Sequence, residues 1–418
     1  MITRQLPVAP STAGTALANG RPGTGRSFRL HRVRGGYCGA GWCHQCGVDP
    51  TTGTALCQTA AAAPLSARLD LLRPLGRLGE RQLPWFWEHR FLRPRRLRGA
   101  FLATISRLSS APPLPVAPGR RRPAHRRLTV EVLHIGDPQH ADAGAYVLDA
   151  QAGQSAFGVY GERVVGATIP GEVLEIHCER LVLATGAYLR LPPIVGNDLP
   201  GVLSLDALTT YVAAGAALGR CRVAVIAPRA DHAAITERLA GHVVLVDISD
   251  ALPQQILGAR RVTGLRRNGT AIACDAVVLA LDQPAIELAL MAGAHGTLST
   301  GPLPVVLATD LPPWLELRGR AAGAGPTISS HASDPAAFVC PCEDVRIRDL
   351  AAAVASGLGD VELVKRRTGA MTGPCQGKLC QGAVLTALRD LGVAPRPVTP
   401  RPFARSPRLA DLASDDGR

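Results

Sequence analysis

At 418 residues and 46% hydrophobic, the chain can build two to four modest domains rather than one core, and with only 4% aromatics those cores must be packed with Ala, Val and Leu. No run approaches the roughly 18 uninterrupted apolar residues a membrane span needs, and the first fourteen residues, MITRQLPVAPSTAG, contain no apolar signal core, which predicts a cytoplasmic protein. Eleven cysteines in a reducing compartment point to metal ligation rather than a disulfide framework, and a net charge of +13 marks a basic surface.

The first predicted element of chemical interest is the loop GYCGAGWCHQCG at 36–47. It places Cys38, Cys43 and Cys46 in a C-x4-C-x2-C array, and Cys57 follows in GTALCQTAAA. Between Cys46 and Cys57, VDPTTGTAL reads as a hairpin: Asp49-Pro50 and Gly53 make the turn, and Ala55-Leu56 begin the return that carries Cys57 back to the loop. This spacing is that of a plant-type [2Fe–2S] loop, and Gly39, Ala40 and Gly41 let backbone amides approach sulfur. Zinc is the alternative metal, although structural zinc usually uses paired C-x2-C knuckles. His44 lies inside a loop that already has four thiols, so it is read as a solvent-facing neighbour rather than a ligand.

Residues 63–127 read as a helical and then Arg/Pro-rich linker. Trp85, Phe86 and Trp87 form its densest apolar cluster, suited to an interface or core. From His89 to Val130 there are eleven arginines and no acidic residue, so this stretch supplies most of the excess charge. With no aromatic interleaving and no recognisable nucleic-acid motif, the basic segment is read as a surface for an acidic partner subunit or anionic cofactors, not for nucleic acid.

Residues 128–330 read as an α/β domain. Strands are predicted at 128–136, 143–153, 172–187, 221–227, 242–247 and 274–281, with a hairpin turn at Asn268-Gly269. Helices are predicted in LDALTTYVAAGAALG, stopping at Gly219, and in DHAAITERLAG. Cys178, Cys221 and Cys274 border apolar runs and read as ordinary thiols near strand ends. His31, His44, His125 and His134 have no carboxylate or nucleophile context beyond that of surface histidines.

A second quartet closes the pattern. FVCPCEDV supplies Cys340 and Cys342, and GAMTGPCQGKLCQG supplies Cys375 and Cys380, giving C-x-C-x32-C-x4-C. Each pair precedes an apolar-periodic helix whose free N–H groups and positive end favour an anionic centre, and Lys365, Arg366, Arg367 and Lys378 add positive charge.

Several segments together carry a family resemblance: GRSFRLHRVRGGYCGAGWCHQCG, PWFWEHRFLRP, RLVLATGAYLRLPPIVGNDLPGV, FVCPCEDV and KRRTGAMTGPCQGKLC, in that order. Over most of its length the chain resembles the α subunits of heteromeric flavin amine oxidases and dehydrogenases: sarcosine oxidase, octopine and nopaline oxidase, proline or hydroxyproline dehydrogenase, and the related subunits of hydrogen cyanide synthase. The resemblance implies a ferredoxin-like [2Fe–2S] domain over 1–62 and a degenerate, disulfide-reductase-like FAD/NAD(P)-binding core over 128–330. It also implies a helical [2Fe–2S] domain of the bacterioferritin-associated-ferredoxin (BFD) type over 331–396, with a tail at 397–418. It further implies a cytoplasmic assembly in which a glycine-oxidase-like flavoprotein β subunit, with or without small subunits, oxidises an amine or imino acid while this chain relays electrons through two [2Fe–2S] clusters.

The sequence departs from the family at the flavin. Only DPQHADAG separates the strand ending at Gly136 from the next, too short for a helical crossover, and the glycine turn that cradles a pyrophosphate is missing. Asp149, at a ribose position, and Thr185-Gly186, on the second flavin strand, remain as remnants. In the second crossover Ala227, Pro228, Arg229 and Ala230 replace glycines, with Asp247 at the ribose position, which speaks against NAD(P). FAD binding is left open, through a partner or a rearranged loop. Two other functions compete with the relay: a self-sufficient flavoenzyme with FAD in the middle domain, and a non-redox zinc- or cluster-binding scaffold or sensor.

Overall fold

The computed structural model describes residues 9–27, 30, 32–49, 54–61, 124–161, 163–299, 305–322, 334–400 and 402–404. The reading of the linker up to Pro123, with Trp85 to Trp87, lies outside them. So do His31, the hairpin tip at Pro50 and Gly53, and the tail beyond Ala404.

The N-terminal part opens on the helix Thr12–Ala18, capped by Ser11, whose Oγ accepts the Gly14 N–H at 3.1 Å. A two-residue antiparallel pair, Gly25–Arg26 with Val33–Arg34, frames the cysteine loop that follows.

The middle of the chain is organised by two sheets. In the larger, the order is Tyr146–Leu148, Ala124–Gly136, Glu172–Ala184, Val164–Ile169 and Ser155–Tyr160. Its 13-residue strand Glu172–Ala184 serves two neighbours along one edge. The half from Glu172 to His177 pairs antiparallel with Val164–Ile169, and Leu181 to Leu183 pair parallel with Leu315–Leu317. Its run Leu181, Val182, Leu183 and Ala184 is buried at every position, as expected where both faces of a strand are covered. The second sheet is all parallel, in the order Val244–Ser249, Arg222–Ile226, Ala276–Leu279, Val202–Ser204, and its two inner strands are near-continuous Val, Ala, Ile and Leu. A three-stranded antiparallel sheet (Gln255–Leu257, Gly264–Arg267, Thr270–Ala273) hangs beside it. Its hairpin closes at Asn268 and Gly269, with φ of 48° and 78°, the two left-handed residues of a type I′ turn.

Several elements differ from the sequence reading. The expected helix ending at Gly219 stops at Ala213, because Gly215 turns left-handed at φ 82° and breaks the Ala-rich run early. The expected strand 143–153 shrinks to Tyr146–Leu148, followed by a 3-10 turn at Ala150–Ala152. The expected strand 172–187 ends at Ala184, and the chain re-enters extended structure at Ala187. Strands Ser155–Tyr160 and Val164–Ile169 were not foreseen. His134 is not a surface histidine: it is fully buried, with Nε2 donating to the Asp137 carbonyl at 2.9 Å.

The C-terminal part begins with a small hairpin, Phe338–Cys340 with Val345–Arg346, and continues as three helices, Ile347–Ala355, Val361–Thr368 and Gln381–Asp390. Arg34 fastens this part to the other two. Its side chain is fully buried; one guanidinium nitrogen pairs with the Asp198 carboxylate and another with Asp344. Arg32 pairs with Asp198 as well, and the Leu30 N–H donates to Asp344 at 2.7 Å. The guanidiniums of Arg32, Arg34 and Arg346 lie 5.2, 5.4 and 4.6 Å from the Phe338 ring centre.

Candidate metal centres

In the first loop Gly39, Gly41, His44 and Gly47 adopt left-handed φ, and the loop's Cys38, Cys43 and Cys46 are buried. A Cβ on Gly41 would stand 2.5 Å from the Gln58 side-chain oxygen, so the bend there needs glycine for space as well as for φ. Antiparallel bonding of Val48 with Ala55, and the Asp49 N–H to Thr54 carbonyl bond at 2.8 Å, close the flanks of the expected hairpin. That return delivers Cys57, whose N–H donates to the Cys46 sulfur at 3.4 Å, while the Ala40 N–H donates to Cys38 at 3.2 Å. Cys38 contacts the thiols of Cys43 and Cys57, and Cys57 also contacts Cys46. All four are at most 3% exposed. His44 is exposed.

The second quartet forms a closed ring. Cys342 donates to Cys375 at 3.3 Å, and Cys340 and Cys375 share hydrogen bonding with the thiols of Cys342 and Cys380. Those bonds hold Cys340 and Cys375 well below the usual thiol range against the cost of burial. The same bonds, together with burial, push Cys342 and Cys380 up. Backbone N–H groups of Met371, Gly377 and Leu379 also point at these sulfurs. Cys380 caps the helix Gln381–Asp390, and Gly373 lets the loop close on Cys342, where a Cβ would meet the Cys342 Cβ at 2.5 Å. Of the four basic residues expected nearby, Lys378 is buried beside the Cys375 carbonyl at 3.4 Å. Lys365 pairs with Glu362, and Arg366 and Arg367 face solvent.

The donor chemistry fits two iron–sulfur centres: eight buried thiols in two sets, each receiving backbone N–H groups on sulfur. Among the described residues no group of three or more His, Cys, Asp or Glu side chains is arranged to hold a single metal ion. The thiols of each set contact one another instead, sharing protons that a bound centre would displace. The remaining cysteines contrast with them. Burial pushes Cys178 and Cys221 up to about 11 and Cys274 up to about 12.

The two sets are neighbours. Gln45, between Cys43 and Cys46, reaches across so that its amide nitrogen stands 3.2 Å from the Cys342 sulfur. Sequence reasoning missed Gln45, as it missed Arg34, Asp198, Asp344 and Asn197. Asn197 ties the parts together too, donating to the Phe338 carbonyl at 2.7 Å and, through its own carbonyl, accepting from the Tyr37 hydroxyl at 2.8 Å.

The flavin remnants lie elsewhere. Asp149 and Thr185 line one cavity with Gly136, Gln154 and Tyr188, but its volume is about 60 Å³, where small-molecule sites run to roughly 300–1,000 Å³. Thr185 donates to the Ala285 carbonyl at 2.7 Å, and the Gly186 carbonyl accepts the Ala285 N–H. Gly136 and Tyr146 belong to parallel neighbouring strands joined by nine residues with one 3-10 turn, Pro138–His140, so no helix N-terminus faces a pyrophosphate. The tail also closes in: the Ala404 N–H donates to Phe157 at 2.6 Å, and Ala404 lines the cavity. These residues do not form a dinucleotide cradle. In the second crossover Asp247 is held by Arg267 at 2.7 Å, which occupies the ribose carboxylate.

Residues 338–390 match the model of the BFD-like [2Fe-2S] binding domain, so the chain carries an iron–sulfur domain of electron-transfer type. No curated protein sequence matches the chain. Among solved structures it is similar to L-proline dehydrogenase from P. horikoshii, at 19% identity and TM-score 0.56, over 69% of this chain and 80% of that one. It is also similar to a FAD-dependent pyridine nucleotide-disulphide oxidoreductase from Desulfovibrio vulgaris, at 16% identity and TM-score 0.34, over 50% of this chain and 68% of that one. No helix among the described residues is long and apolar enough to cross a membrane.

Proposed function

We propose that this chain is the iron–sulfur α subunit of a heteromeric FAD-dependent amine or imino-acid oxidase or dehydrogenase, relaying electrons from a partner flavoprotein through two [2Fe–2S] centres. The observation that carries the reading is the packing of two buried cysteine quartets against each other through Gln45, beside a dinucleotide-type fold whose crevice is nearly closed. The fold it shares with an L-proline dehydrogenase chain supports the imino-acid class.

A [2Fe–2S] group supplies one-electron exchange. This chain's residues do the rest. Cys38, Cys43, Cys46 and Cys57 hold one centre, and Cys340, Cys342, Cys375 and Cys380 hold the other. The N–H groups of Ala40 and Met371 steady sulfur charge. Tyr37, fully buried, lies within electrostatic reach of both Cys43 and Cys342. Substrate oxidation and its acid–base steps belong to the partner.

The test is co-expression with a glycine-oxidase-like flavoprotein encoded beside this chain, followed by anaerobic purification of the complex and of the chain alone. The chain alone is expected to hold about four iron and about four labile sulfide and no flavin; the complex is expected to bleach its iron–sulfur bands on adding L-proline or sarcosine. Flavin on the isolated chain would favour the self-sufficient flavoenzyme. Zinc without sulfide would defeat both redox readings.

A further inference from the structure

Gln45 comes from the N-terminal loop yet acts on the C-terminal quartet. Its side chain is buried, with Nε2 3.2 Å from the Cys342 sulfur and 3.3 Å from the Cys43 carbonyl oxygen. Both neighbours are acceptors, so the amide must present its NH2 to them, which fixes its orientation. A buried N–H donated to a ligating sulfur stabilises the more negative state of the centre, and the low local dielectric magnifies that effect.

We propose that Gln45 is a positioning residue of the C-terminal centre, raising its reduction potential through the hydrogen bond to Cys342 across the domain boundary. The proposal rests on the iron–sulfur reading of the C-terminal quartet. Reduction brings one electron from an external donor and one added negative charge to the centre, with no bond made or broken in the protein. The Gln45 N–H···S contact strengthens as that charge arrives. Because Gln45 is neutral, its replacement by an isosteric apolar side chain removes a dipole and leaves the local charge unchanged.

The experiment uses the full-length, anaerobically purified, iron-loaded chain, with potentiometric titration followed by electron paramagnetic resonance. Gln45→Met keeps the volume without the donor, and Gln45→Glu replaces the donor by a carboxylate. In Gln45→Met the reduced-to-oxidised ratio of the C-terminal centre at a fixed potential is expected to fall about tenfold, equal to about 59 mV for one electron. Gln45→Glu is expected to lower it further. The signal is assigned in a Cys38→Ser background, which removes a ligand of the other centre. A C-terminal potential unchanged in both variants overturns the proposal. Iron and sulfide content and the number of signals in the wild type test the two-centre reading separately. A wild type with a single, C-terminal centre would end the two-centre reading, and the Gln45→Met shift would still decide the role of Gln45.

Discussion

Replacing Arg34 by Met should loosen the joint between the two ends of the chain. In the native protein the Arg34 side chain is 0% exposed, Asp344 0% and Asp198 2%. Burial opposes ionisation of both acids. At Asp198 the nearby Arg34 and Arg32 outweigh it and hold the carboxyl below its usual range, whereas at Asp344 burial prevails and the carboxyl is held above. In Arg34→Met, Asp198 keeps Arg32, whereas Asp344 loses its guanidinium and keeps the Leu30 N–H. Removing one partner of a buried ion pair costs about 3–5 kcal/mol, because the other charge is left uncompensated. Of that, about 3 kcal/mol is expected here, roughly two powers of ten in the folding equilibrium. The assay is urea unfolding followed by far-UV circular dichroism, at equal iron loading and under anaerobic conditions. The double variant Arg34→Met/Asp344→Asn should lose less than the single one, since it removes the stranded charge along with its partner. An Arg34→Met protein within about 1 kcal/mol of wild type, or a double variant less stable than the single, would refute the reasoning.

Other outcomes follow from the same structure. Cys342→Ser and Cys38→Ser should each abolish one iron–sulfur signal and about halve the iron and sulfide content, while Cys178→Ser, whose thiol sits inside a strand, should leave both unchanged. Burial lowers the pKa of His134, with Arg318, His140 and Asp142 nearby and the Asp137 carbonyl opposing the shift. The unfolded chain therefore binds the proton first. Stability should be full above about pH 6.5 and fall as pH drops below it, and His134→Gln, read by urea midpoints across pH, should flatten that limb. Gly269 sits at φ 78°, and a side-chain carbon added there would meet nothing within 4 Å, so Gly269→Val should cost about 1–2 kcal/mol by backbone strain alone, measured as a shift in the same midpoints.

Those elements whose chemistry is local could be read from the sequence. In the first loop Cys38, Cys43 and Cys46 lie within a few residues and Cys57 one short hairpin away, so their meeting was legible; in the second quartet each pair was legible, but their meeting depends on the two helices folded between them. Asn268-Gly269 declared its turn because two successive left-handed residues admit few other pairs. The missing helix after Gly136 was legible from chain length alone. What stayed hidden depends on partners far along the chain. Arg34 and Asp344 are 310 positions apart, and nothing in HRVRGG or PCEDV marks them as a pair. His134 is one of several inward positions on its strand, and its polarity suggested the opposite face. The strands at 155–169 went unseen because SAFGVY and VVGATI mix glycine and alanine with few alternating polar residues. Gln45 stands between two ligand cysteines, but its reach toward Cys342 depends on where the other end of the chain folds.

The Arg34 junction also bears on how the protein is made. Ribosomes add about 5–20 residues each second, so Arg34 is synthesised about 15–60 s before Asp344 exists to meet it. Through that interval Arg34 and Gln45 lack the C-terminal partners, Asp344 and Cys342, that later join the two ends. The joint between the two ends therefore forms late, after the first loop has already been made.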